Sequence, residues 1–247
     1  MEEYMYMERQ EDRVKRRNIA TACILAAFMM LTGCAGGEKA DTANQEKETR
    51  RENEVIVTMP VTSEPEAGFD PAYGWGAGEH VHEPLIQSTL TVTTEDLEVE
   101  NDLAEGYSVS EDGLTWTVDI KQDVFFTDGE ALTAGDVAFT YNLCKEKSSV
   151  NDFTMLNRAE AVDEDTVKFY MNTPYSIWPY TMATVGIVPE HAYDETYGEN
   201  PIGSGRYILK QWDKGQQVIL EANPEYYGSE VKIKKVTILF MEEDASL

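Results

Sequence analysis

The sequence predicts an α/β protein (mixed α+β), in which β-sheets are combined with a few helices. Residues 114–120 alternate between apolar and polar side chains, which is typical of a strand with one buried face. Thr133, with Asp136 three positions later, has the spacing of a capping box at a helix start. Residues 161–171 and 207–222 each place a polar turn between two apolar runs, as in a hairpin. Strands interspersed with helices in this way favour mixed sheets.

The elements of the first half follow from local composition. The β-branched run at residues 55–57 predicts a first strand that ends at Pro60. Residues 83–90 are predicted to form a short helix. The helix that starts at Thr133 is predicted to extend to about Lys147.

In the second half, residues 176–193 are predicted to mix helix and loop, with Pro179 and Pro189 as helix breakers. Gly203-Ser204-Gly205 is interpreted as a tight turn that enters the second hairpin. Apolar side chains at alternate positions of residues 236–240 predict a final strand.

A basic cluster at residues 15–17 precedes the apolar stretch 18–31 near the start of the chain. This stretch is too short to cross a hydrocarbon core of about 30 Å comfortably, and it has the size of a signal-peptide core. Leu31-Thr32-Gly33-Cys34 resembles a bacterial lipobox, which implies cleavage before Cys34 and a diacylglyceryl anchor on its thiol. We therefore expect a lipoprotein signal peptide at residues 1–33. The alternatives are an uncleaved membrane anchor and a buried core helix.

The three cysteines have different expected fates. Cys23 would leave with the signal peptide and Cys34 would be lipidated, so Cys144 would remain alone and could form no intramolecular disulfide. Cys144 lies on one stripe of the predicted helix with Val137 and Tyr141, and it is interpreted as a core thiol.

Composition also divides the mature chain into a tether and a folded region. Residues 34–53 are polar and lack periodicity, as in a flexible tether, and residues 54–247 are expected to fold.

The charge of the chain excludes one class of partner. Its 46 acidic and 20 basic side chains give a formal net charge of −26, which repels phosphate backbones, so we expect no binding to nucleic acid. The sequence has no His-Glu-x-x-His zinc helix, phosphate-binding loop or dinucleotide fingerprint, and we expect no cofactor.

Several blocks resemble a known family in their order and spacing. The blocks lie at residues 103–118, 124–137, 188–191, 200–207 and 223–236. They resemble the solute-binding lipoproteins of peptide and nickel ABC importers, although Arg206 stands where proline is common. The resemblance implies a lobe of the periplasmic-binding-protein type II kind. Because members of the family are longer, it also implies that residues 54–247 form a truncated first lobe and that the second lobe is missing.

The resemblance further implies how the protein acts. Such proteins clamp a ligand between two lobes without transforming it, and they deliver it to a membrane permease. We expect capture of peptides or of a nickel chelate as cargo, by a monomer anchored outside the cytoplasm to the bacterial membrane, in the periplasm or at the cell surface. A truncated fragment that binds nothing is one alternative. An exported serine hydrolase is another, although the sequence around Ser204 lacks the Gly-x-Ser-x-Gly spacing.

A cleft of this kind needs aromatic platforms and a few polar groups. Tyr73 and Trp75, in a segment rich in glycine and aromatic residues, are candidates for ligand contact or for loop packing. His80 and His82 would point to one face of an extended segment and could share a metal, or they are ordinary loop histidines. Arg206 is a candidate to anchor a ligand carboxylate or to form a structural bridge.

Overall fold

The computed structural model describes residues 53–73, 84–148 and 152–242. These residues contain ten strands, two α-helices and two 3₁₀ turns. The strands are β1 (Glu54–Pro60), β2 (Thr91–Thr93), β3 (Val99–Asn101), β4 (Ala104–Val109), β5 (Thr115–Ile120), β6 (Leu156–Ala161), β7 (Thr166–Met171), β8 (Tyr207–Asp213), β9 (Gln217–Ala222) and β10 (Lys235–Met241). The helices are α1 (Ala134–Lys147) and α2 (Trp178–Met182), and the 3₁₀ turns are Val61–Ser63 and Glu190–Ala192.

Two four-stranded sheets form the framework. The first has the order β1-β10-β9-β8, in which β1 runs parallel to β10 and the other pairs are antiparallel. The second has the order β4-β5-β7-β6 and is antiparallel throughout. Strands β2 and β3 form a separate two-stranded ribbon. The predicted mixed sheets, both hairpins and the first and last strands are confirmed.

Helix α1 and the second sheet share the larger core. The predicted capping box is present, since the Asp136 carboxylate accepts the Thr133 backbone N–H at 2.9 Å. Tyr141, which is fully buried, lies edge-on to Phe169 of β7 with 4.7 Å between ring centroids. Cys144 is 1% exposed, which confirms it as a core thiol. Alternate side chains of β5 point into the same core, as the sequence pattern predicts.

The first sheet has its own smaller core. Its members come mainly from alternate positions of β8, β9 and β10, joined by two residues from outside the sheet: Tyr207, Val218, Leu220, Val236, Ile238, Phe240, Phe69 and Ile86. Within the residues described, no helix is long and apolar enough to cross a membrane. The predicted signal peptide and almost all of the predicted tether lie outside the described residues.

The predicted helix at residues 83–90 is wrong over its described part, residues 84–90. Residues 85–90, which we call the central segment, run between the two sheets without forming a helix. The Leu85 carbonyl accepts the Tyr207 N–H at 2.9 Å, and the Leu90 carbonyl accepts the Ala104 N–H at 2.9 Å. Because these groups are bonded to distant parts of the chain, tertiary pairing overrides the local helical pattern.

The Gly203-Ser204-Gly205 stretch is shaped by the same segment. The Gly205 N–H donates to the Ile86 carbonyl at 2.8 Å, and a Cβ on Gly203 would lie 2.1 Å from that carbonyl oxygen. Glycine is needed here because two backbones approach closely, rather than for a tight turn alone. The prediction that Pro179 breaks a helix is wrong. It lies in the first turn of α2, where a missing N–H costs nothing.

Candidate functional site

Tyr73 ends a described stretch that is anchored in the protein interior. The Phe69 N–H donates to the Gly198 carbonyl at 2.8 Å, and the Phe69 ring lies edge-on to Trp212 at 5.4 Å. Ala72 is fully buried, whereas the side chain of Tyr73 is 42% exposed. Tyr73 therefore places an aromatic ring at the surface, directly after a buried residue.

Asp70 is a buried acidic residue three positions before Tyr73. It is 5% exposed, and its carboxylate accepts the Tyr193 hydroxyl at 2.7 Å and the Ala72 N–H at 2.9 Å. Burial raises the pKa of Asp70, and the Tyr193 hydrogen bond and the nearby Lys147 oppose that rise. Burial also raises the pKa of Tyr193, and its bond to Asp70 raises it further. The tyrosine thus remains a proton donor to the carboxylate.

Lys147 completes the arrangement from the last residue of α1. Its Nζ atom lies 5.7 Å from the centroid of the Tyr73 ring and 5.4 Å from that of the Tyr193 ring. Both distances are within the range of cation–π attraction. Tyr73, Tyr193, Lys147 and Asp70 are called the tyrosine–lysine cluster below. It combines an exposed ring (Tyr73), a half-buried ring (Tyr193) and an ammonium group near a buried carboxyl group.

Arg206 belongs to a second group of aromatic and cationic side chains. Its guanidinium carbon lies 5.6 Å from the centroid of the Tyr226 ring, and the Tyr226 and Tyr227 rings are 4.8 Å apart. The Nζ atom of Lys121 lies 5.2 Å from the centroid of the Tyr227 ring. The four side chains form a row with a cation at each end, which we call the tyrosine–cation row.

The two predicted site residues that the structure describes lie in different clusters. Tyr73 lies in the tyrosine–lysine cluster and Arg206 in the tyrosine–cation row. Trp75, His80 and His82 fall in residues 74–83, and Cys34 precedes residue 53, so these four lie outside the described residues. The central segment lies near Arg206, because its Leu85 carbonyl accepts the N–H of the adjacent Tyr207.

Sequence reasoning missed most members of the two clusters. Tyr193 and Lys147 are far from Tyr73 in the chain and carry no motif of their own. Tyr226 and Tyr227 fall within the family block at residues 223–236, and nothing in that block indicates that they lie near Arg206. The repeated pairing of a tyrosine with a distant cation becomes visible only once the strands and α1 are placed.

The metal site predicted at His80 and His82 lies outside the described residues and stays a prediction, whereas Ser204 can be examined directly. In the described ranges, no group of three or more His, Cys, Asp or Glu side chains could hold a metal ion. His191 instead contacts Asp128, with 2.8 Å between Nε2 and a carboxylate oxygen, and this bond raises the histidine pKa. Ser204 is 1% exposed and donates to the Ser88 hydroxyl at 2.9 Å, which is unlike an accessible nucleophile.

A groove of about 420 Å³ lies along β8 and residues 199–201. Trp212 lines it, and its indole N–H donates to the Glu64 carboxylate at 2.7 Å. The two lysines of the groove are already paired with glutamates, Lys210 with Glu221 and Lys214 with Glu199. Lys147 and Arg206 lie beside tyrosine rings, so we take the two aromatic clusters as the candidates for ligand contact.

Comparison with known proteins gives a consistent result. The sequence pattern of the bacterial extracellular solute-binding proteins, family 5, middle region, matches residues 98–247. The probable D,D-dipeptide-binding periplasmic protein DdpA of Escherichia coli K12 is 31% identical over 199 residues, which are 76% of this chain and 38% of DdpA. The oligopeptide-binding protein AppA of Bacillus subtilis is 27% identical, over 91% of this chain and 44% of AppA. The chain thus spans about two-fifths of the length of these relatives.

Solved structures show the same fold. NikZ from Campylobacter jejuni, in complex with Ni(L-His), matches 77% of this chain and 39% of its own, with a TM-score of 0.69 and 26% identity. AppA from Bacillus subtilis, in complex with a nonapeptide, matches 77% of this chain and 40% of its own, with a TM-score of 0.65 and 28% identity. The predicted α/β fold of the periplasmic-binding-protein type II kind is confirmed over this part of those structures.

Proposed function

Since this chain belongs to the family 5 bacterial extracellular solute-binding proteins, we propose that it captures peptides or a nickel chelate for an ABC importer. Members of this family bind solutes and are not enzymes. In our proposal, residues 54–247 supply the first lobe and one wall of a cleft that closes on its ligand. The captured solute is then passed to a membrane permease.

One observation carries this proposal, namely the tyrosine–lysine cluster, in which Lys147 lies beside the rings of Tyr73 and Tyr193. An exposed aromatic ring beside a cation suits ligands that have both apolar side chains and ionised ends. The ammonium of Lys147 would attract a carboxylate, and the ring of Tyr73 would pack against an apolar side chain. Arg206, in the tyrosine–cation row, would supply a second anchor for a carboxylate.

Peptides are the favoured cargo of the two. The described residues offer aromatic rings and cations, and these recognise the backbone ends and side chains of a peptide. Binding of a nickel chelate would depend on His80 and His82, and two histidines alone are a weak metal site. The peptide reading therefore has more support from the residues whose positions are described.

Titration separates these cargoes. We expect a mixture of short peptides to raise the melting temperature of the 247-residue chain, because a ligand that binds only the folded state stabilises it. Tyr73→Ala and Arg206→Gln should each weaken peptide affinity about tenfold, which corresponds to about 1.4 kcal/mol. Tyr180→Ala is the matched control, since Tyr180 is similarly exposed at 47% but lies in α2.

Nickel chloride, with and without histidine, provides the other arm of the titration. If nickel with histidine raises the melting temperature and peptides do not, the cargo is the nickel chelate and the peptide proposal is wrong. A chain that responds to neither solute would contradict both and favour a fragment that binds nothing. Equal losses of peptide affinity in Tyr73→Ala and Tyr180→Ala would show that the tyrosine–lysine cluster is not part of the binding site.

We also propose that the protein is anchored outside the cytoplasm through a lipid on Cys34, with residues 1–33 as the signal peptide and residues 34–53 as the tether. The short apolar stretch and the lipobox-like tetrapeptide support this. In bacterial cells given labelled palmitate, we expect label on the wild-type chain and none on Cys34→Ser. Label that persists in Cys34→Ser would contradict the assignment.

A further inference from the structure

Leu97, at the tip of the ribbon formed by β2 and β3, has a backbone conformation that suits glycine. Its φ is +63°, and among the described residues other than glycine only Asp123 shares the left-handed region. The Leu97 N–H donates to the Thr94 carbonyl at 2.9 Å, and the Thr94 N–H donates to the Glu98 carbonyl at 2.8 Å. In such a hairpin the residue after the turn is left-handed, and glycine usually occupies it because a Cβ is crowded there.

The side chain of Leu97 also packs against little of the protein. It is 72% exposed, which makes it the most exposed of the large apolar side chains in the described residues. A strained backbone and an apolar group in water both oppose folding. A leucine that folding does not favour at this position points to contact with another molecule.

Helix α2 fixes the ribbon in place. The Tyr180 hydroxyl donates to the Leu97 carbonyl at 3.1 Å, and the Thr91 hydroxyl of β2 donates to the Pro179 carbonyl at 2.7 Å. Ile177, the residue before α2, lies one turn from Tyr180 and adds a second apolar side chain that is 52% exposed. Because both elements are held by hydrogen bonds, this surface is arranged before any partner arrives.

The ribbon around Leu97 carries only acidic charges. Glu95, Asp96, Glu98 and Glu100 are exposed, and none of these four carboxylates forms an ion pair with another described residue. Residues 84–120 contain nine acidic side chains and no Lys, Arg or His, and residues 169–189, which include α2, contain no charged side chain. The ribbon therefore presents an apolar group among negative charges that no nearby part of the sequence balances.

This combination selects the chemistry of a partner. Lysine or arginine side chains would pair with the carboxylates, while an apolar side chain between them would cover Leu97. A membrane surface with anionic lipids would repel the ribbon. A second copy of this chain is also repelled, because each copy carries a formal net charge of −26.

We propose that the ribbon tip (residues 94–98), together with Ile177, is a docking surface for a cationic amphipathic segment of another protein. The segment would place an apolar side chain over Leu97 and basic side chains beside Glu95 and Glu98. This surface is separate from the tyrosine–lysine cluster, whose ammonium group would repel such a segment. The assignment therefore does not depend on which solute the protein captures.

Leu97→Gly tests first whether the leucine serves folding. We expect the midpoint of urea unfolding to stay at or above that of the wild type, because relief of the left-handed strain offsets the added freedom of glycine in the unfolded chain. Leu103→Gly, at a fully buried leucine, should lower the midpoint clearly. A lowered midpoint in Leu97→Gly would show that its side chain packs within the protein, and would overturn the proposal.

Binding is tested with a fluorescent synthetic peptide that carries leucine and lysine in a helical repeat. We expect the 247-residue chain to bind this peptide, and Leu97→Gly to weaken the affinity about tenfold. Val162→Gly is the matched control, since Val162 is 53% exposed in the turn between β6 and β7. Neither this variant nor Tyr73→Ala should change the affinity.

The charges are tested in the same assay. The double variant Glu95→Gln/Glu98→Gln should weaken binding about tenfold and make it less sensitive to salt. Glu164→Gln/Glu195→Gln removes two exposed carboxylates outside the ribbon and should have a much smaller effect. Equal losses in the two double variants would show attraction by net charge alone, and would contradict the proposal.

Other occupants of the surface give distinct results, and each would overturn the proposal. A leucine–lysine peptide that does not bind, or that binds equally well to Leu97→Gly, would exclude the docking surface. A loss with Tyr73→Ala but not with Leu97→Gly would show that the peptide is bound as cargo. Binding to phosphatidylglycerol vesicles, or a dimer in sedimentation, that Leu97→Gly abolishes would assign the surface to a membrane or to a second copy.

Discussion

Gly203→Ala is expected to destabilise the protein strongly. The added methyl carbon would lie 2.1 Å from the Ile86 carbonyl oxygen and 2.7 Å from the Ile86 carbonyl carbon, which are backbone atoms that no rotamer change can move. Relief requires the central segment to separate from residues 203–205, and its hydrogen bonds to Gly205 and Tyr207 would be lost with it. We expect a loss of about 3 kcal/mol or more in the free energy of unfolding, measured by urea denaturation.

Gly106→Ala is the matched control for this change. Gly106 lies in β4, and a Cβ at that position would meet no atom within 4 Å. Its substitution should alter the unfolding free energy by less than about 1 kcal/mol. If Gly203→Ala unfolds at the same urea concentration as the wild type, the two backbones do not approach as closely as the structure indicates.

Asp70→Ala is expected to have the second largest effect. The substitution would leave the Tyr193 hydroxyl and the Ala72 N–H without the carboxylate that accepts both of them. Since these donors lie at a site where the aspartate is 5% exposed, water cannot readily replace the lost partner. We expect the free energy of unfolding to fall by about 2–3 kcal/mol, measured by urea denaturation at neutral pH.

Asp112 provides a closely matched control for Asp70. It also accepts one hydroxyl, from Ser110, and the backbone N–H two residues later, but it lies in an exposed turn. Asp112→Ala should therefore change stability much less than Asp70→Ala. Similar losses in both variants would show that hydrogen bonding, rather than burial, sets the importance of Asp70.

The loss of unfolding free energy caused by Asp70→Ala should also depend on pH. Burial raises the pKa of Asp70, so between the ordinary and the raised pKa the folded protein retains a proton that the unfolded chain has released. The contribution of Asp70 to stability therefore falls as the pH rises through this interval. The difference between the wild type and Asp70→Ala should be largest on the acidic side of the interval and smaller above it.

The sequence predicts those elements whose side chains repeat with a regular period. The alternation from Leu114 to Ile120, and the capping residues of α1, describe local structure that the fold retains. The helix predicted at residues 83–90 is wrong because the carbonyls of the central segment bond to Gly205, Tyr207 and Ala104, which are distant in sequence. No periodicity in the segment itself could reveal those partners.

The candidate site was less predictable than the fold, for a related reason. Tyr73 and Arg206 could be selected by residue type, because aromatic rings and guanidinium groups often contact ligands. Their neighbours Lys147 and Tyr226 depend on where α1 ends and on how the chain turns after β9. An aromatic ring and a cation that meet from distant elements have no spacing rule in the sequence.

The central segment has a consequence for how the protein loses its structure. Its Leu85 and Ile86 carbonyls are bonded to residues that lead into β8 of the first sheet, and its Leu90 carbonyl is bonded to Ala104 of the second. Neither sheet can therefore melt while the other keeps all of its contacts. Thermal or chemical denaturation of this region should be a single cooperative event, with the two sheets behaving as one folding unit.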